Sequence, residues 1–281
     1  MANIGLEITN RCNLECAMCG HQHMKRVQQD MPWEMFRQAV DEIRGRHRLQ
    51  SMTFYGEPLL ADNFVRAIRY LAKHNQRVEN TFYTNATLLT ADKVSELVDA
   101  GFLEVHSHTR KLWLALDTMD PKLYKRLRKG ADFETVVTNI RRFIKVAKHL
   151  PGLGVQRLLT RWNPDEPEEP FKRFGVPVKT RIAGRHWVKN RGPSIVPFEE
   201  DRRPQCRELW GTCWVMSNGQ AVSCCIDGEG EQPFGTYPEQ SLKELARGRN
   251  RKAQQCEFKA GDYSNLALCA RCKGDEPRGR V

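Results

Sequence analysis

Ten cysteines in a chain of 281 residues are the side chains best equipped for chemistry, and they are not evenly spread. They stand at 12, 16 and 19, then at 206, 213, 224, 225, 256, 269 and 272, with none between Cys19 and Cys206. The first group has the spacing Cys-x3-Cys-x2-Cys. Three thiolates so close in sequence can ligate three irons of a cubane cluster and leave the fourth iron open for a cofactor or substrate. A zinc knuckle of three cysteines and one histidine, borrowing His21 or His23, is the competing reading, because a structural zinc wants four ligands.

The second group contains the tight pair Cys269-x2-Cys272, preceded by Cys206, Cys213 and the neighbours Cys224 and Cys225. Cys206, Cys224, Cys269 and Cys272 suffice to close one cluster, or one zinc site of four cysteines. Spacing does not choose between Cys224 and Cys225. Cys213, Cys225 and Cys256 are left over as ordinary thiols. Cys213 and Cys256 are also candidate hydrogen-atom donors for a radical reaction that inverts a stereocentre.

A chain of this length can bury a sizeable core without disulfides. No apolar run approaches the span of a membrane, and the N-terminus lacks a signal-peptide pattern. A cytosolic, reducing location is expected, where clustered cysteines point to metal. There are 45 Lys+Arg against 34 Asp+Glu, a formal charge of +11. Basic residues gather at 122–129, 141–148, 181–191 and 247–252. Most such runs are solvated helix faces, and no RNA-recognition module accompanies them, so nucleic acid is not the expected partner. Arg181, Arg185, His186, Trp187, Lys189 and Arg191 are candidates to grip an anionic small molecule.

The cysteines need a scaffold, and the middle of the chain supplies alternating strands and helices. Strands are expected at 4–9, 52–55, 80–83, 111–117, 154–159 and 178–182. Helices are expected at 32–46, around 64–71, at 91–100 and at 133–149. Pro32 suits a first turn, Thr90 an N-cap and Gly101 a C-cap. The alternation implies an α/β fold: a parallel sheet rolled into a partial (β/α)6 TIM-like barrel, with a small C-terminal cluster domain. The expected domains are 1–195 and 196–281. The first cysteine group then lies in the loop after strand one, at the barrel edge where such folds carry their chemistry.

The run Thr9-Asn10-Arg11-Cys12-Asn13-Leu14-Glu15-Cys16-Ala17-Met18-Cys19 resembles the signature of the radical S-adenosylmethionine (radical SAM) superfamily. Phe54-Tyr55-Gly56-Glu57-Pro58 resembles that family's Gly-Gly-Glu-Pro motif, with Tyr55 in place of the first glycine. Thr84-Asn85-Ala86 resembles its Thr-Asn-Gly, with alanine for glycine. Leu116-Asp117, with Arg128-Lys129-Gly130 and Phe133-Glu134, resembles the stretch after strand four. The C-terminal segment resembles the SPASM and twitch auxiliary-cluster modules, with a hairpin over 214–227 and a helix at 239–247. The compact layout resembles the 2-deoxy-scyllo-inosamine dehydrogenases of that subgroup.

The resemblance implies that Cys12, Cys16 and Cys19 hold a [4Fe–4S] cluster whose open iron chelates S-adenosylmethionine. Reductive cleavage would yield a 5′-deoxyadenosyl radical that abstracts hydrogen from an unactivated carbon, the protein positioning and sealing the chemistry. Gly56, Glu57 and Pro58 would line the methionine amino group, largely through backbone. Asn85 and Asp117 would meet ribose or substrate, although Asp117 also suits a helix cap or turn. Met18 would pack near adenine. Cys206, Cys224, Cys269 and Cys272 would hold an auxiliary [4Fe–4S] cluster. A flavodoxin- or ferredoxin-type donor would supply electrons.

The expected reaction is a two-electron dehydrogenation of a small polar substrate such as a sugar, cyclitol or phosphorylated polyol. Epimerisation with a cysteine donor is the first alternative. Peptide maturation is the second, set back by a first strand that begins near residue 3, which leaves no room for a leader-binding domain. A zinc-stabilised binding protein would not need the intact cysteine triad.

Overall fold

The computed structural model describes residues 1–182 and 206–272. Six strands run parallel and in chain order: β1 (Asn3–Leu6), β2 (Arg48–Ser51), β3 (Thr81–Thr84), β4 (Lys111–Ala115), β5 (Leu153–Leu159) and β6 (Val178–Ile182). Helices α1 (Trp33–Ile43), α2 (Phe64–Lys73), α3 (Ala91–Asp99), α4 (Phe102–Val105), α5 (Pro121–Leu127), α6 (Phe133–Ala147) and α7 (Glu169–Lys172) lie between them in sequence. This is the expected partial barrel. Alternate residues along each strand divide the two faces of the sheet. Ile4, Leu6, Leu112, Leu114, Leu153 and Val155 join the main core with Phe36, Ile68, Val136, Ile140 and Phe143 of the helices.

The barrel stays open because β1 turns its free edge to another partner. β7 (Cys213–Val215) pairs parallel to β1, and β8 (Gln220–Val222) and β9 (Gly235–Thr236) follow antiparallel. The sheet order is β9-β8-β7-β1-β2-β3-β4-β5-β6. The C-terminal hairpin therefore extends the barrel's own sheet. Helices α8 (Leu242–Arg247), α9 (Arg249–Ala260) and α10 (Ala267–Arg271) complete this part. The expected domain boundary at 195/196 falls outside the described residues, as do Arg185, His186, Trp187, Lys189 and Arg191.

Helix starts follow side-chain chemistry. Thr90, Asp120, Asp132 and Ser241 each accept from a first-turn amide, and Ser241 with Glu244 forms a capping box. Pro32 stands at the N-cap of α1, one place before the expected first turn. The second strand lies at Arg48–Ser51, ahead of the expected 52–55. Phe54 and Tyr55 have strand-forming side chains, but their backbone has already left the ladder to carry the Gly-Glu-Pro turn. α9 escaped sequence reading because it is polar almost all round, with only Arg251 and Phe258 buried. Among the described residues no helix is long and apolar enough to cross a membrane.

Candidate cluster and cofactor sites

The loop after β1 carries Cys12, Cys16 and Cys19. Cys16 lies in a two-residue strand, Glu15–Cys16, paired antiparallel with Arg128–Lys129. Leu14, Cys16, Met18, Leu127 and Leu158 form a separate apolar cluster, against which Cys12, Cys19 and Trp162 pack. Met18 thus belongs to the sheath around the thiols. Burial, the dominant cause, pushes the Cys12 thiol up to about 12 and Cys16 to about 11. In the metal-free chain these groups hold their protons, which iron must displace.

Each sequence-nominated polar residue near this loop has a definite partner. Gly56 has φ +82, and a Cβ there would lie 2.5 Å from the Arg11 carbonyl oxygen, so glycine lets the two loops touch. The Glu57 amide donates to Arg11 O at 2.8 Å. Its buried carboxylate accepts from Thr84 Oγ1 and Asn85 N, both at 2.7 Å, and from Leu59 N at 3.2 Å. Burial outweighs these donors and pushes Glu57 up to about 7. The side chain is spent on tying the end of β2 to the end of β3. Pro58 opens a single 3-10 turn, Pro58–Leu60, behind it.

Asn85 donates from Nδ2 to Asn13 Oδ1 at 3.0 Å and accepts from Thr87. It anchors the cysteine loop to β3. Asp117 is 1% exposed, with Oδ2 taking Arg128 Nε at 2.7 Å and Oδ1 taking Leu158 N at 3.0 Å. Arg128 Nη1 in turn lies 3.9 Å from Cys16 Sγ. The basic run 122–129 is therefore not wholly a solvated face. Arg251, in the fourth basic run, is likewise buried, bonded to Ser223 Oγ and to the Gly211 and Ala246 carbonyls. His21 is buried with Nε2 on Asn10 O at 2.7 Å, and His23 is exposed. Among the described residues no three Cys, His, Asp or Glu side chains close on a single metal ion.

Cys206, Cys224, Cys269 and Cys272 line one cavity, with Leu209, Ile226, Phe258 and Leu268 as its apolar walls. The cavity itself is small, about 20 Å³. Cys224 contributes to its wall, whereas Cys225 is exposed. Four thiols against apolar walls are the ligand set of a closed metal site, an iron–sulfur cluster or a four-cysteine zinc. Cys213 is sealed in the main core on β7, and Cys256 is exposed on α9.

The two cysteine sites are braced against each other, which sequence reading missed. Glu7, fully buried, forms a bidentate ion pair with Arg26 at 2.8 Å and also accepts from Ser217 N. Arg26 donates to Gly228 O, and Glu229 accepts from Lys25 N and Arg26 N. Tyr55 packs under Gly228, where an added Cβ would meet its ring at 2.7 Å. Its hydroxyl donates to Ile226 O at 3.4 Å. Burial, together with Cys19 on one side and Cys225 and Cys224 on the other, holds Tyr55 well above its ordinary value. The glycine-to-tyrosine departure in the second motif was the available signal.

An open parallel barrel with three cysteines over its mouth and four in an appended hairpin module defines an iron–sulfur enzyme of the radical type. Residues 6–157, more than half of the chain, match the Radical SAM superfamily model. Residues 206–273 match the SPASM iron–sulfur cluster-binding domain. The chain belongs to the radical SAM superfamily and is a radical SAM enzyme with a C-terminal SPASM domain. Its cofactors are S-adenosylmethionine and iron–sulfur clusters.

Among curated relatives, a tungsten-containing aldehyde ferredoxin oxidoreductase cofactor-modifying protein of Pyrococcus furiosus is 28% identical over 165 residues, 58% of this chain and 45% of that one. A probable GTP 3′,8-cyclase of Methanococcus maripaludis is 27% identical, covering 50% of this chain and 45% of that one. The matched segments thus span under half the length of these relatives. Among solved structures, BtrN in complex with AdoMet and 2-DOIA aligns with a TM-score of 0.65 at 16% identity, over 97% of this chain and 92% of that one. SuiB of Streptococcus suis bound to precursor peptide SuiA aligns with a TM-score of 0.66 at 14% identity, over 87% and 64%. At such identities these two show a common fold.

Proposed function

We propose that this enzyme dehydrogenates a small polar substrate, with Cys12, Cys16 and Cys19 holding the radical-generating [4Fe–4S] cluster and Cys206, Cys224, Cys269 and Cys272 an auxiliary one. When bound, these groups supply reductive cleavage of S-adenosylmethionine at the first site and uptake of the substrate's second electron at the other. The observation that carries the reading is the four-thiol cavity. A cluster held by four cysteines keeps no open position for substrate and is suited to electron transfer. The near-complete overlap with BtrN supports a compact substrate site.

The chain's own residues position this chemistry. Gly56 lets the second loop approach the first. Glu57 and Asn85 spend their side chains on holding those loops, which leaves backbone to face the cofactor. Leu14, Met18, Leu127 and Leu158 exclude water from the thiols. A flavodoxin- or ferredoxin-type protein is the proposed electron donor, in a reducing compartment.

Epimerisation is the second reading, and one residue favours it. Cys225 is exposed and stands close enough to both Tyr55 and Tyr83 to affect their ionisation. A thiol there is better placed to return a hydrogen atom than Cys213 in the core or Cys256 on α9. Turnover in D2O separates the readings. A two-electron-oxidised product supports dehydrogenation, and solvent deuterium in an unoxidised product supports epimerisation. Zinc without iron after anaerobic reconstitution defeats both.

A further inference from the structure

Among the described residues, two buried polar atoms on the inner face of the barrel have no partner. Leu158 on β5 packs beside Cys16 and Met18, so its face of the strand is the one beneath the cysteine loop. The two-residue period puts Gly154 and Gln156 on the same face. Register extends this face across the neighbouring strands. Trp113 of β4 pairs with Gly154 and with Tyr83 of β3, Gln156 pairs with Lys179 of β6, and Leu158 pairs with Arg181. A Cβ on Gly154 would meet the Trp113 ring at 2.3 Å, so the glycine makes room for the indole. Lys179 Nζ stands 5.6 Å from that ring's centroid, and Arg181 is near enough to Tyr83 for its charge to favour the ionised phenol.

Trp113 is 9% exposed and Gln156 8%, yet Trp113 Nε1 and Gln156 Oε1 have no hydrogen-bond partner among the described residues. Leaving a buried donor and acceptor unmade is costly enough that most such groups are satisfied by protein, water or ligand. Here they lie on adjacent strands of one face. An indole N–H asks for an acceptor and a carboxamide oxygen for a donor, and a hydroxyl group serves both. The cations of β6 flank the pair.

We propose that Trp113 and Gln156 are substrate-binding residues, and that the substrate is a polyol carrying an anionic group, its hydroxyls on this pair and its anion toward Lys179 and Arg181. The inference rests on the small-polar-substrate reading and narrows it to one class.

The test is titration calorimetry on the reconstituted full chain with S-adenosylmethionine. The probes are myo-inositol 1-phosphate and glucose 6-phosphate, beside neutral myo-inositol and glucose. At least one phosphate should bind, and tenfold or more tighter than its neutral parent. Trp113→Phe and Gln156→Leu, on different strands, should each weaken that binding by about tenfold, the effect of one lost hydrogen bond. Binding of none of the four, neutral parents binding as well as phosphates, or unchanged affinity in both variants overturns the proposal. Formation of 5′-deoxyadenosine without substrate is measured on the same preparations. An enzyme that forms it but binds no probe keeps its radical chemistry and loses this substrate class. An enzyme that forms none loses the radical reading.

Discussion

Arg128 reaches two groups from different parts of the chain: its Nε donates to Asp117 Oδ2 at 2.7 Å, and its Nη1 lies 3.9 Å from Cys16 Sγ. The pair is buried, with side chains 13% and 1% exposed. Removing one partner would strand a buried charge, at a cost of about 3 kcal/mol. Arg128→Met should therefore lower unfolding free energy by about that amount in denaturant titrations. It should also move the first cluster's midpoint potential negative, because a donor near a thiolate favours the reduced state. Arg128→Lys keeps the charge without the fork, so it should shift the potential while costing less stability. An unchanged potential in both variants would remove Arg128 from the tuning of this site.

Gly56 is the point where two loops meet. An alanine there combines φ +82 with an approach of 2.5 Å to Arg11 O. The left-handed backbone alone costs a side chain about 1–2 kcal/mol. Gly56→Ala should reduce iron bound at the first site and lower stability by at least about 2 kcal/mol. Iron analysis after anaerobic reconstitution reads the first effect, and normal loading would show that the loops can separate freely.

Cys224 and Cys225 are adjacent in sequence but differ in surroundings: one lines the four-thiol cavity, and the other is exposed. Two cubane clusters correspond to about eight iron per chain. Cys225→Ser should keep that content, whereas Cys224→Ser should lose about half of it and the auxiliary spectroscopic signal. The reverse pattern would assign the ligand to Cys225.

His106 is fully buried, stacked on Phe102 at 3.9 Å, with Nδ1 donating to Phe102 O and Nε2 without a partner among the described residues. Burial pushes it down to about 4. The unfolded chain protonates this ring near 6.5. Stability from the neutral ring is complete above that pH and is lost as pH falls toward 4, by about 3 kcal/mol. The difference in unfolding free energy between wild type and His106→Phe should show this slope. A difference constant from pH 7 to 4 would mean that the ring titrates normally.

Much of this could be read along the chain. Five of the six barrel strands announced themselves through alternation and through the turns after them, and Thr90 marked a helix start by its own hydroxyl. Strand two misled because Phe54 and Tyr55 look like strand residues, while Arg48–Ser51 is held by its parallel neighbours rather than by propensity. The polar residues of the motifs were visible as candidates. Their use was not, since Glu57 meets Thr84 and Asn85 meets Asn13 only once the loops are brought together.

The sequence by itself pointed to metal chemistry: three cysteines at a loop spacing and seven more from residue 206 onward, because ligand type and short-range spacing are local properties. It also determined the alternating architecture, because hydrophobic period is local too. Only the tertiary structure decided that Cys224 rather than Cys225 lines the cavity, that Tyr55 lies between the two cysteine sites, and that Trp113 and Gln156 share a buried face. Those are relations between strands and loops far apart in the chain. Parallel pairing sets them, and no local pattern encodes which side chains it will bring face to face.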